Sequence, residues 1–150
     1  MRILLVSAPA LPRSLPWLTR PSRASFSTGG IQGFLNHAVQ VAKLYENRRI
    51  WFEELAHKHL DGLATWVSPT AGMFLFIDVS PIKDTQALAL STCMDHGVLV
   101  VPGQSFFPSG CMSSRLRVAF SIIEKSAADE GFKRLAEAIR QTRKEEGIDA

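Results

Sequence analysis

Gly72-Met73-Phe74-Leu75-Phe76-Ile77-Asp78-Val79 is apolar at nearly every position, at odd and even places alike. A strand with one wet face alternates, whereas a run without alternation predicts a central strand covered on both sides. Ser68-Pro69-Thr70 interrupts the chain just before it, and Pro81 to Asp84 reads as the turn after it. Ala64 to Val67 is a short strand on the N-terminal side, and Val98 to Val101, closed by Pro102-Gly103, is a third on the C-terminal side. Arg115 to Phe120 is the fourth. Here Leu116, Val118 and Phe120 share one face, so Arg117 points the other way, beside Ala119 and Ser121.

Helical spacing surrounds these strands. Val41, Leu44, Tyr45, Trp51, Phe52, Leu55 and Ala56 recur at intervals near three and four, predicting a long helix from Phe34 to about Leu60 that Asp61-Gly62 ends. A second helix is expected from Thr85 to His96, stopped by Gly97. A last one is expected from Ala127 to about Lys144, with Phe132, Leu135, Ala138 and Ile139 on one side. The fold class expected is α+β: a small antiparallel or mixed sheet of about four strands covered by helices.

The chain has 150 residues, 46% of them hydrophobic and 21% charged, which suits one globular domain and excludes general disorder. Its net charge of +3 is unevenly placed. Residues 1–28 hold Arg2, Arg13, Arg20 and Arg23 with no acid, whereas residues 29–150 hold 13 basic and 14 acidic groups. A folded part this close to neutral does not present the basic stripe of a nucleic-acid binder. Pro9, Pro12, Pro16 and Pro21 forbid a continuous helix in the first 28 residues, which are expected to form an unstructured leader ahead of a domain at 29–150. An acid-free, Arg- and Ser-rich start is also the composition of a mitochondrial transit peptide, so mitochondrial placement stands as an alternative to cytoplasmic. No run reaches the ~18 apolar residues of a membrane helix. Two cysteines, Cys93 and Cys111, are too few for a disulfide framework.

Several chemistries fail on spacing. His57 and His59 are two apart on a helix and point to different faces. Cys93 and His96 offer two ligands where zinc takes three or four. No Gly-x-Ser-x-Gly nucleophile elbow is present. Gly29-Gly30-Ile31-Gln32-Gly33 lacks the full phosphate-loop pattern and reads as a flexible linker. Arg117 is the better candidate. A guanidinium above small neighbours suits a carboxylate held by two parallel hydrogen bonds, although an arginine on a solvated strand face is the commoner reading.

Four segments in register resemble the class I/II, fold-type-I, pyridoxal-phosphate-dependent aminotransferases. Ser68-Pro69-Thr70-Ala71-Gly72-Met73-Phe74 resembles their Pro-x-x-Gly-Met-Phe strand entry. Gly97 to Phe106 is similar to their Gly-Val-x-x-x-Pro-Gly-x-x-Phe segment, and Leu116-Arg117-Val118-Ala119-Phe120-Ser121 to their arginine strand. Tyr45-Glu46-Asn47-Arg48-Arg49 is similar to Tyr-x-x-Arg-Arg, with Ile50 where an aspartate is common. The likeness runs from about Gly33 to Arg143 and is nearest the aromatic, 2-aminoadipate and kynurenine-type branch.

The resemblance implies a C-terminal small domain in which Arg117 grips the α-carboxylate of an amino acid that exchanges its amino group with a 2-oxo acid. It also implies pyridoxal 5'-phosphate as the family's cofactor and a homodimer for full-length relatives. None of the six lysines, Lys43, Lys58, Lys83, Lys125, Lys133 and Lys144, stands in the Ser-x-x-Lys context expected of the Schiff-base lysine. The expectation is therefore of a truncated chain that does not hold the cofactor or turn over alone. The alternative is a transaminase-derived module, non-catalytic, that binds ligands or forms dimers. Nucleic acid and membrane are not expected partners.

Overall fold

The computed structural model describes residues 3–4 and 23–148. Strand β1 is Ile3–Leu4, and helix α1 runs Arg23–Leu60. Strands β2 (Thr65–Trp66) and β3 (Phe74–Asp78) follow, then the short helices α2 (Thr85–Leu90) and α3 (Thr92–Asp95). Strands β4 (Val98–Leu99) and β5 (Val101–Pro102), a 3-10 turn at Gly103–Phe106, strand β6 (Arg115–Ala119) and helix α4 (Lys125–Glu145) complete the order. Four strands form one antiparallel sheet in the order β2-β3-β6-β5, so the α+β class and the four-stranded sheet stand as expected.

Alternation decides which side of that sheet is wet. Leu75 and Ile77 of β3 lie opposite Val118 and Leu116 of β6, and all four are buried. They meet Phe52, Leu55, Ala56 and Leu60 of α1 and Phe132, Leu135 and Ile139 of α4 in one core. Phe52 sits at its centre, its ring 4.7 Å from that of Phe132 and 5.6 Å from that of Phe120. The helices cover one side only. Phe74 and Phe76 are 38% and 41% exposed, which corrects the expectation that β3 is covered on both faces. It is central, and its other face is open.

Other expectations change in detail. The chain is helical from Arg23 rather than Phe34, and the Gly29–Gly33 stretch expected as a linker belongs to it. The helix breaks within that stretch at Gly30, whose φ of 53° is open to glycine at little cost. The expected leader 1–28 lies mostly outside the described residues. Within it, Ile3–Leu4 pairs in parallel with Val98–Leu99. The strand expected at Val98–Val101 is two strands with different partners, since β4 pairs with β1 and β5 with β6. Val100, buried between them, marks the switch. The helix expected over Thr85–His96 divides at Ser91, which turns Thr92 and Cys93 inward against α4, where the Thr142 hydroxyl lies 3.3 Å from that of Thr92.

Two arginines tie helices to loops. Arg143, only 9% exposed, donates from Nη2 to the carbonyls of Leu63 (2.8 Å) and Ser80 (2.9 Å), fastening the last turns of α4 to the loops before β2 and after β3. Arg48 donates to the carbonyl of Ile123 ahead of α4. Because Phe52 is wholly enclosed, Phe52→Ala is expected to cost about 3–5 kcal/mol. Equilibrium urea unfolding reads that directly.

Candidate carboxylate site on the open sheet face

Period-two alternation that buries Leu116 and Val118 sends Arg115, Arg117 and Ala119 to the open face, against Asp78, Phe76 and Phe74 of β3. Each opposite pair is distinct. Asp78 and Arg115 approach at 3.7 Å. The Asp78 carboxylate also accepts from the amide and hydroxyl of Ser80, at 3.0 and 2.5 Å. Partial burial pushes its carboxyl up, but the Ser80 bonds, a further one from Ser114 and the Arg115 charge outweigh it and hold the carboxyl below its ordinary value.

Arg117 is placed differently. Among the described residues no carboxylate lies within ion-pair distance of its guanidinium. Its Cζ instead lies 4.2 Å from the centroid of the Phe74 ring and 4.8 Å from that of Phe106. The Phe106 ring also meets Phe76 edge-on at 5.3 Å. Ala119 stands beside Arg117 along its own strand, as expected, with Arg115 on the other side, and on the β3 side its neighbours are aromatic. Carbonyl, amide and carboxylate acceptors that would occupy the guanidinium are replaced by rings, which cannot engage its in-plane donors strongly.

Phe106 reaches Arg117 from the 3-10 turn after β5, and close packing sets that turn. A Cβ on Gly103 would stand 2.6 Å from Ser113 Oγ and 2.7 Å from the Arg115 carbonyl oxygen. Only a residue without one lets the turn lie against the start of β6. Buried Thr85 fixes the same place, its hydroxyl 2.8 Å from the Ser113 carbonyl and 2.9 Å from that of Arg115. Gln104 is tethered to Gln86 of α2 at 2.5 Å.

The remaining candidates have local partners. Arg49 donates to Glu53 (2.7 Å) and to Ser68 (2.6 Å), so the Arg48-Arg49 pair fastens loops. His57 packs against Trp66 with the two rings tilted, while His59 lies 2.8 Å from Asp129, on a different side of α1 as expected. Burial pushes the Cys93 thiol up to about 12, and Cys111 is exposed. No group of three or more His, Cys, Asp or Glu gathers in metal-binding fashion among the described residues. Nor is any helix there long and apolar enough to cross a membrane.

Known proteins resemble this chain in sequence and in fold. Over 109 residues the chain is 40% identical to the aminotransferase tdiD of Emericella nidulans, covering 71% of this chain and 25% of that protein. It is also 40% identical over 114 residues to the mitochondrial kynurenine/alpha-aminoadipate aminotransferase of Mus musculus, covering 75% of this chain and 27% of that protein. The chain belongs to the aminotransferases. The multiple substrate aminotransferase of Thermococcus profundus shares the fold with a TM-score of 0.69 at 27% identity, over 75% of this chain and 28% of that one. No protein-family model matches the chain. This aminotransferase chain spans about a quarter of the length of the curated relatives it matches, corresponding to their C-terminal small domain.

Pyridoxal phosphate is the cofactor implied for the family, and the residues of the open face do not fit it. Lys43 and Lys58 stand on α1, Lys125, Lys133 and Lys144 on α4, and Lys83 in the turn before α2. Lys58 and Lys125 pair with Asp129 and Glu54, on the helical side. The face offers no amine for an imine, and its one acid, Asp78, is engaged by Arg115 and Ser80.

Two outcomes follow. Gly103→Ala is expected to push the 3-10 turn off β6 at a cost of about 1–3 kcal/mol and to displace the Phe106 ring, seen as lost stability and altered aromatic NMR shifts. Asp78 contributes stability that is complete above its unfolded pKa, about 3.9. Because its folded value is lower, that contribution is lost as the pH falls through the folded value. Thermal unfolding of wild type and Asp78→Asn should therefore differ at neutral pH and converge in acid.

Proposed function

We propose that the open sheet face is the amino-acid side of an aminotransferase active site, in which Arg117 holds the α-carboxylate of the substrate. The observation that carries this reading is a guanidinium on an open face, set over two aromatic rings and unpaired with any acid of the described residues. A carboxylate entering there takes two parallel hydrogen bonds and meets no competing acceptor. Each such bond contributes about 1.5–3 kcal/mol where water is excluded. The exposed rings of Phe74, Phe76 and Phe106 give the same face an apolar floor suited to an aromatic or 2-aminoadipate-like side chain. The partner substrate is a 2-oxo acid, which carries the same carboxylate and takes the same grip.

The chain alone is inactive in this reading. Amino transfer needs a lysine amine to hold pyridoxal phosphate and move the α-proton, and no lysine stands on this face. A second reading, a non-catalytic module that binds carboxylates or pairs with its own copy, is favoured by the exposed Ile31, Leu35 and Val39 along the first half of α1.

Titration calorimetry with 2-oxoglutarate tests the grip. Arg117→Ala is expected to weaken binding at least about tenfold, the equivalent of 1.4 kcal/mol. Equal affinity in both proteins removes Arg117 from the role. Mixing the chain with pyridoxal phosphate and borohydride is expected to leave no stoichiometric adduct on a single lysine. One such adduct would show that the chain holds the cofactor itself.

A further inference from the structure

We infer that Phe74 and Phe106 are positioning residues for Arg117, fixing its guanidinium for a carboxylate before the ligand arrives. This rests on the carboxylate grip proposed above and adds to it a reason why the arginine is competent without a protein partner.

Two competing fates of an arginine on this sheet are visible side by side. Arg115, 61% exposed along its side chain, turns to the acid directly opposite it, Asp78. Arg117 has Phe76 opposite it and Phe74 and Asp78 on its two diagonals, and Asp78 is already engaged by Arg115 and Ser80. Arginine has several rotatable bonds, and freezing them at the moment of binding costs affinity. Rings at 4.2 and 4.8 Å attract the cation through their faces and so restrict the side chain beforehand, while leaving its N–H donors unspent. The two rings come from separate elements, β3 and the 3-10 turn, so the contact with both fixes a direction that neither would fix alone.

The rings are themselves held. The backbone of Phe74 pairs with Ala119 at the end of the ladder between the two central strands. Phe106 is braced by Phe76 at 5.3 Å, and its turn is seated by the contact of Gly103 with the start of β6. Neither ring belongs to the core, Phe74 being 38% and Phe106 45% exposed. Exchanging either for leucine therefore leaves the fold standing while removing the π face.

The test uses the full chain, 2-oxoglutarate as probe, and four variants: Phe74→Leu, Phe106→Leu, Phe106→Tyr and Arg117→Ala. In the wild type the Arg117 Nε–Hε NMR signal should be shifted upfield by the rings. Each leucine variant should lose most of that shift and bind roughly threefold to tenfold more weakly, the range of a cation–π contact. Phe106→Tyr keeps a ring and should restore both. Melting temperatures of all four should stay near the wild type's, which separates positioning from folding.

Leucine variants that bind 2-oxoglutarate as the wild type does, while Arg117→Ala does not, would overturn the positioning role and leave the grip standing. If Arg117→Ala binds as well as the wild type, or the wild type fails to bind, the grip itself falls. An unshifted Arg117 signal in the wild type overturns the positioning role whatever the ligand does.

Discussion

Helices α1 and α4 bury the Leu75, Ile77, Leu116 and Val118 side of the sheet, and everything on the opposite side follows from that choice. Side chains alternate along a strand, so each residue pressed into the core pushes its neighbour outward. With Leu116 and Val118 inside, Arg117 has nowhere to go but the open face. With Leu75 and Ile77 inside, Phe74 and Phe76 must join it there. A slip of one residue in the β3–β6 register would bury a guanidinium among Phe52 and Phe132 and expose the aliphatic side chains. The cost of an unpaired charge in such a core makes that alternative inaccessible. The register that stabilises the domain therefore also brings the cation and two of the three rings, Phe74 and Phe76, to one face.

Much of this was legible in the residues. Alternation across Arg115–Phe120 identified the outward-facing arginine, and the helical spacing of Phe52, Leu55 and Ala56 identified the core side of α1. Three things were not legible, for physical reasons. The doubly apolar run at Phe74–Asp78 looks the same whether its second face is covered within the chain or left open, because hydrophobicity does not name what covers it. The split between β4 and β5 depends on Ile3–Leu4, nearly a hundred residues upstream, which takes half of an otherwise continuous apolar run. Phe106 meets Arg117 only because the 3-10 turn folds back on β6, a tertiary event with no local periodicity. The one hint lay in Gly103, a glycine whose close backbone contact fixes where that turn can sit.

The arginines of this chain show how context assigns the same side chain to different work. Arg143 and Arg48 are consumed by backbone carbonyls, Arg49 by Glu53 and Ser68, and Arg115 by Asp78. Each of these turns at least one nitrogen toward an oxygen atom of the protein. Arg117 alone among these five is surrounded by carbon, and this difference of company, rather than exposure, distinguishes it.

The tie made by Arg143 has a consequence for how the chain comes into being. It is a residue of the last described helix that clasps carbonyls at Leu63 and Ser80, about eighty and sixty positions earlier. The central strand β3 likewise waits some forty residues for β6, and α1 waits longer still for α4. Contacts so distant along the chain are slow to form, because loop closure precedes their reward. On a ribosome, which releases residues from the N-terminus onward, α1 and β3 emerge well before anything that can cover them. Their greasy surfaces stay uncovered until the last turns of α4 have been made, so the nascent chain passes through an interval of exposure to aggregation and to chaperones that the finished domain does not share.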